Sequence, residues 1–153
     1  MRRLTAIVVL LGTAALLGAC QGWDHEHMQD DGAVCVLASA PSPDVTFTAD
    51  PPPQTLASDA AVFLRVIANG CFSSSCTRDR VGHCDAMVQG SDIFLTSEFT
   101  WELKTGNVEC TADCVLLSAD CQVPALPAGT YTVHHGKTTR AFDVPSVVAD
   151  SCR

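Results

Sequence analysis

From residue 34 onward, short runs of aliphatic, aromatic and β-branched residues alternate with clusters of Pro, Gly, Asn and Asp, and no stretch repeats its apolar residues at the spacing of a helix. That rhythm predicts strands over 34–39 (VCVLAS), 45–49 (VTFTA), 61–68 (AVFLRVIA), 85–89, 93–103, 114–121, 130–135 and 138–144. Pro41, Pro43 and the run Pro51-Pro52-Pro53 interrupt the early part, because proline has no amide hydrogen to give a ladder, so the first strands should be edge-like. Two hairpins stand out. Gln89-Gly90-Ser91-Asp92 is a turn signal, and beyond it Ile93, Leu95, Ser97, Phe99 and Trp101 fall on one face. Around a turn at His135-Gly136, Tyr131 and Val133 should face inward, with Phe142 and Val144 beside them on the returning strand. The expected class is all-β, a sandwich or barrel.

The start of the chain has a different character. Arg2 and Arg3 precede an apolar run from Ala6 to Leu17, and small residues lead to Cys20. This is the pattern of a signal peptide over residues 1–19, and the run is shorter than the ~20 residues that a membrane-spanning helix needs. Residues 21–33 (QGWDHEHMQDDGA) are polar and acidic without apolar periodicity, so 20–33 is expected to be a flexible tether and 34–153 the folded domain. Removing the leader leaves 134 residues (153 less 19), the size of one domain. The formal charge of -8 becomes about -10 without the two leader arginines, and no Lys/Arg-rich run remains. A nucleic-acid partner is therefore not expected.

Nine cysteines are an odd number for an exported chain. If Cys20 is modified, the other eight, Cys35, Cys71, Cys76, Cys84, Cys110, Cys114, Cys121 and Cys152, can form four disulfides. The spacings C-x4-C-x7-C and C-x3-C-x6-C lack the C-x2-C knuckle of zinc ribbons and the C-x-x-C of redox motifs. Pairing is not deducible from sequence; a plausible scheme brackets the domain with Cys35–Cys152 and keeps the remaining bridges within or between the two central clusters.

Leu17-Gly18-Ala19-Cys20 resembles the lipobox of bacterial lipoproteins. The resemblance implies cleavage before Cys20 and fatty acyl chains, such as palmitate, on that residue, which together make a stable membrane anchor. In that family an aspartate after the cysteine favours inner-membrane retention. Here Gln21 follows, implying the outer membrane, with the domain facing the periplasm or the cell surface. The stretch Leu126-Pro127-Ala128-Gly129-Thr130-Tyr131-Thr132-Val133 resembles the L-x-P-G-T-x-Y-x-V entry to the penultimate strand of fibronectin type III and related immunoglobulin-like sandwiches, with Pro127 displaced and the spacing one residue shorter. It implies a small, disulfide-rich, immunoglobulin-like β-sandwich whose tyrosine bonds back to the chain at a corner.

Chemistry is sparse. The chain lacks G-x-S-x-G, a phosphate-cradling glycine loop, H-E-x-x-H and a calcium loop, so no catalytic residue and no cofactor are assigned and the protein is not expected to be an enzyme. His25-Glu26-His27 has metal-ligand chemistry, but on a tether with no rigid surroundings it would bind weakly, so no metal is expected there. His134 and His135 should diverge across a strand end. Within the cysteine-bounded segment 71–84, Arg78 and Arg80 could be offered from a rigid loop as substrate-like side chains to a protease. The leading expectation is a non-catalytic envelope module that meets another envelope protein or surface ligand. The alternative is an exported protease inhibitor presenting the 71–84 loop.

Overall fold

The computed structural model describes residues 22–40 and 54–148. These form ten strands: β1 (Trp23–Gln29), β2 (Gly32–Leu37), β3 (Gln54–Leu56), β4 (Val62–Ala68), β5 (Thr77–Gln89), β6 (Asp92–Lys104), β7 (Ser118–Val123), β8 (Gly129–His135), β9 (Thr138–Val144) and β10 (Ser146–Val148). No helix occurs among the described residues. The expected strand at 45–49, the prolines at 41–53, Cys20 and Cys152 lie outside them.

Long strand β6 organises the larger sheet. One edge pairs antiparallel with β5 along nearly its whole length. On the other edge, its C-terminal half pairs with β1 and its first residues pair in parallel with β8, which carries β9. A three-stranded sheet, β2-β4-β7, packs against this five-stranded one. Their facing side chains form one core that includes Val34 and Val36 of β2, Leu64 and Val66 of β4, Ile93, Leu95 and Phe99 of β6, and Tyr131, Val133, Phe142 and Val144 of the last hairpin. Burial of this kind is the main favourable term in folding. The fold is thus the disulfide-rich all-β sandwich that the alternation predicts. Tyr131 Oη donates to the Pro127 carbonyl at 2.9 Å, the corner implied by the immunoglobulin-like motif. The parallel β6–β8 pairing departs from that all-antiparallel pattern.

Both hairpins form as expected, with Gly90 and Gly136 at φ of 62° and 53° in their turns. At Gly136 a Cβ would meet the Asp30 carbonyl oxygen at 2.1 Å, so the hairpin tip abuts the end of β1 and no other residue fits.

Three expectations are corrected. The segment read as a tether is strand β1: Met28 packs against the core while His25, His27 and Gln29 point outward, and the ladder to β6 supplies what the sequence lacks in apolar residues. Asp30 caps that ladder. Its amide donates to the Ser97 carbonyl, and its carboxylate accepts from the Ser97 amide at 2.8 Å, extending the pairing by one step before the chain crosses to β2. The loop read over 71–84 is strand from Thr77 onward; its outward residues mix Arg78, His83 and Asp85 with exposed Val81 and Met87, and Gly82 on the inward side is forced by contact, since a Cβ there would lie 2.5 Å from the Ser118 carbonyl oxygen of the facing sheet. The strand expected over 114–121 begins only at Ser118, because Cys110 and Cys114 are tied into bridges.

Disulfides join Cys71 to Cys114, Cys76 to Cys110 and Cys84 to Cys121, all between the two central clusters. The first two staple the β4–β5 connection to the β6–β7 connection; there Ser74 and Thr111 hydrogen-bond Asp113 and hold its carboxyl below the usual range. Cys84–Cys121 ties β5 to β7 across the sandwich. Cys35 is also disulfide-bonded, and its expected partner Cys152 falls outside the described residues.

Candidate functional site

The alternation that buries one face of the five-stranded sheet leaves the other open, and that open face gathers the molecule's polar chemistry. It carries four of the five histidines, each beside a carboxylate: His25 with Glu102 at 3.3 Å, His27 with Glu98 at 3.3 Å, His83 with Asp85 at 3.2 Å and His134 with Asp92 at 2.7 Å. The register explains the arrangement. Glu102 lies directly opposite both His25 on β1 and Arg78 on β5, and Glu98 lies opposite His83.

Glu102 is the least exposed of the paired groups on this face, with a side chain only 14% exposed. Arg78 Nε donates to Glu102 Oε2 at 2.6 Å, and the guanidinium lies over the Trp23 ring, 4.1 Å from its centroid. Such charge-assisted and cation–π contacts fix both partners. Further along, a cross-strand row of Met87, Phe94 and His134 follows the ladder, with Phe94 stacked on the His134 ring at 4.9 Å. Val81, Met87 and Phe94 are the exposed apolar residues here. A face mixing exposed aromatic, aliphatic and paired charged side chains on a disulfide-stapled sheet can bind a macromolecule or hold an ion. Elsewhere, a shallow cavity of about 210 Å³ between β2 and β9, lined by Ala33, Val34, Asn69, Thr138 and Arg140, is crossed by a hydrogen bond from Arg140 Nη1 to the Val34 carbonyl.

The sequence-derived candidates are distributed as follows. Arg78 sits in a paired strand with its guanidinium engaged, and Arg80 Nη1 donates to Thr77 Oγ1 at 3.4 Å beside the β5 bulge, so neither stands on a protruding loop. His134 and His135 do diverge: His134 faces Asp92 outside, and His135, only 2% exposed, turns inward to Ser97 Oγ at 2.8 Å. Burial lowers the His135 pKa, against the opposing charges of Asp30 and Asp31. Glu98, Glu102, Asp92 and Trp23 were not singled out by sequence. Their signal is the period of two in DIFLTSEFTWELK, which puts Asp92, Glu98 and Glu102 on one face; only the pairing register brings Trp23 and the histidines of WDHEHMQ to them. No protein-family model matches the chain, and no curated protein or solved structure matches it.

Proposed function

We propose that the chain is an exported lipoprotein, anchored to the outer membrane through Cys20, whose sandwich is a non-catalytic module that presents the outer face of its five-stranded sheet to another component of the cell envelope. The observation that carries the binding role is that face, where Val81, Met87 and Phe94 stand exposed among four histidine–carboxylate pairs on a disulfide-stapled sheet. Support for the address comes from the lipobox-like Leu17–Cys20 and from the disulfides, which persist in oxidising compartments.

The two readings constrain each other. Only Gln21 and Gly22 separate Cys20 from Trp23, the first residue of β1. Three residues reach at most about 10 Å. A lipidated Cys20 therefore keeps the Trp23 end of the sheet at the bilayer surface, where tryptophan is favoured, and fixes the direction of the binding face.

The intact mass of the protein from the membrane fraction of a two-membrane bacterium, with and without reduction and alkylation, tests the address. The expected result is a chain beginning at Cys20 with added acyl mass and eight alkylation sites that appear only after reduction. An unmodified Cys20 overturns the anchor. For the binding role, a photo-crosslinker at Met87 in intact cells should capture an envelope component that one at Asp59, away from this face, does not. Repeated failure to do so counts against it.

A further inference from the structure

We propose that His25, His27 and Glu102 form a binding site for a late first-row divalent cation, zinc(II) or copper(II), at the β1 edge of the open face. The inference goes beyond the binding role above and stands whether or not Cys20 is lipidated.

Residues Trp23–Gln29 form strand β1, not a tether. On a flexible tether, two imidazoles separated by one residue are weak ligands; on a strand they share one face about 7 Å apart, held by the ladder to β6. Glu102 lies directly opposite His25 on the neighbouring strand, so a cation above this triangle is within reach of two ring nitrogens and a carboxylate. Such a donor set suits zinc and copper. The distances agree. Bonds of about 2.0–2.1 Å to tetrahedral corners place neighbouring ligand atoms about 3.3 Å apart, which is the separation of His25 Nε2 from Glu102 Oε1.

What the tether reading lacked was a fixed surround, and the structure supplies one. The second oxygen of Glu102 accepts from Arg78 Nε at 2.6 Å, and Arg78 is stacked on Trp23, so the carboxylate is oriented from behind with its other oxygen turned to His25. Partners of this kind typically change metal affinity 10–100-fold. No three ligand groups converge among the described residues as the side chains stand, because His27 turns to Glu98. Binding requires the half-exposed His27 ring, at 52%, to rotate about its side-chain bonds from Glu98 toward the triangle.

Calorimetric titration of the exported, disulfide-bonded chain with zinc chloride and, separately, copper(II) chloride tests this. Saturable binding of one ion per chain is expected for at least one metal. It should weaken at least tenfold in His25→Gln, His27→Gln and Glu102→Gln, and by less than twofold in His83→Gln and His134→Gln. Glutamine keeps size and polarity, and thermal midpoints within a few degrees of the parent show that β1 remains docked. Histidine ring resonances in NMR should shift for His25 and His27 first. Absence of saturable binding by either metal overturns the proposal. So does binding that survives the β1 substitutions, or that is lost through His83 or His134 instead.

Discussion

The outer faces of the two sheets are opposites. On the five-stranded sheet, the outward residues are charged, imidazole-bearing or isolated apolar side chains, and they are open to solvent. On the three-stranded sheet, the outward residues Cys35, Leu37 and Ile67 are buried in a second small cluster with Phe63, and Arg65 is buried beside them in a two-pronged pair with Asp120 at 2.6 and 3.1 Å. Where the outer face of a sheet is buried, as at Cys35, Leu37 and Ile67, its residues answer to packing. A sheet with one free face keeps there only what packing does not need, so that is where a partner or ion can be met. The same contrast recurs on a single strand, in His134 and His135.

The largest effects should fall where the sheets are joined. Replacing Cys84 and Cys121 together by serine frees a loop with a sequence separation of 37, for which chain entropy gives about 4 kcal/mol. Replacing Cys71 and Cys114, with a separation of 43, gives a similar entropic loss. Cys121 is fully buried in the core, however, so the first pair also leaves a packing defect and a buried hydroxyl at 121. Denaturant midpoints should therefore fall further for Cys84/Cys121 than for Cys71/Cys114. Equal losses would mean that the cross-sheet bridge has no role beyond shortening the unfolded chain.

How much of this was legible beforehand follows the same division. Where one face is apolar the period of two is plain, so β4, β6 and both hairpins could be read, as could the inward set Ile93, Leu95, Phe99, Tyr131 and Val133. β1 was hidden because only Met28 of its inward residues is apolar, and its stability is borrowed from the ladder to β6. The first half of β5 was hidden for a related reason: Gly82 faces inward because the opposing backbone comes too close for any side chain, and a glycine amid charges reads as loop. The candidate site was least legible of all. His25 and His27 are visible as residues, but Glu102, Arg78 and Trp23 join them only through register, a non-local property that no short window contains.

The two adjacent histidines give the next contrast. Burial keeps His135 neutral in the folded protein, with a pKa below the ordinary 6.5, whereas the unfolded chain takes up a proton near that value. The lowered pKa of a base therefore means stability that is full above about pH 6.5 and is lost as the pH falls below it. Between pH 7 and 5 the parent should lose stability more steeply than His135→Gln, which keeps an amide near Ser97 Oγ without a titrating ring. Denaturant midpoints across that range decide the matter, and parallel curves for parent and His135→Gln would show that the inward ring is not the titrating group.

The smallest effects belong to the open face, and their smallness is what gives the comparison its meaning. Solvent-exposed ion pairs are worth about 0.2–1 kcal/mol, and surface substitutions away from caps and turns usually change stability by no more than about 0.5 kcal/mol. Val81→Thr, Met87→Gln and Glu98→Gln should each fall within that band, because all three side chains are more than half exposed. Ile67→Ala, an equally outward position on the three-stranded sheet, removes buried methylenes and should cost about 2 kcal/mol or more. The triple variant at 81, 87 and 98 should thus keep the parent's denaturation midpoint nearly unchanged while losing whatever the Met87 crosslinker captures. If instead the triple variant unfolds as readily as Ile67→Ala, the open face is part of the folding core, and retaining apolar side chains there needs no partner to account for it.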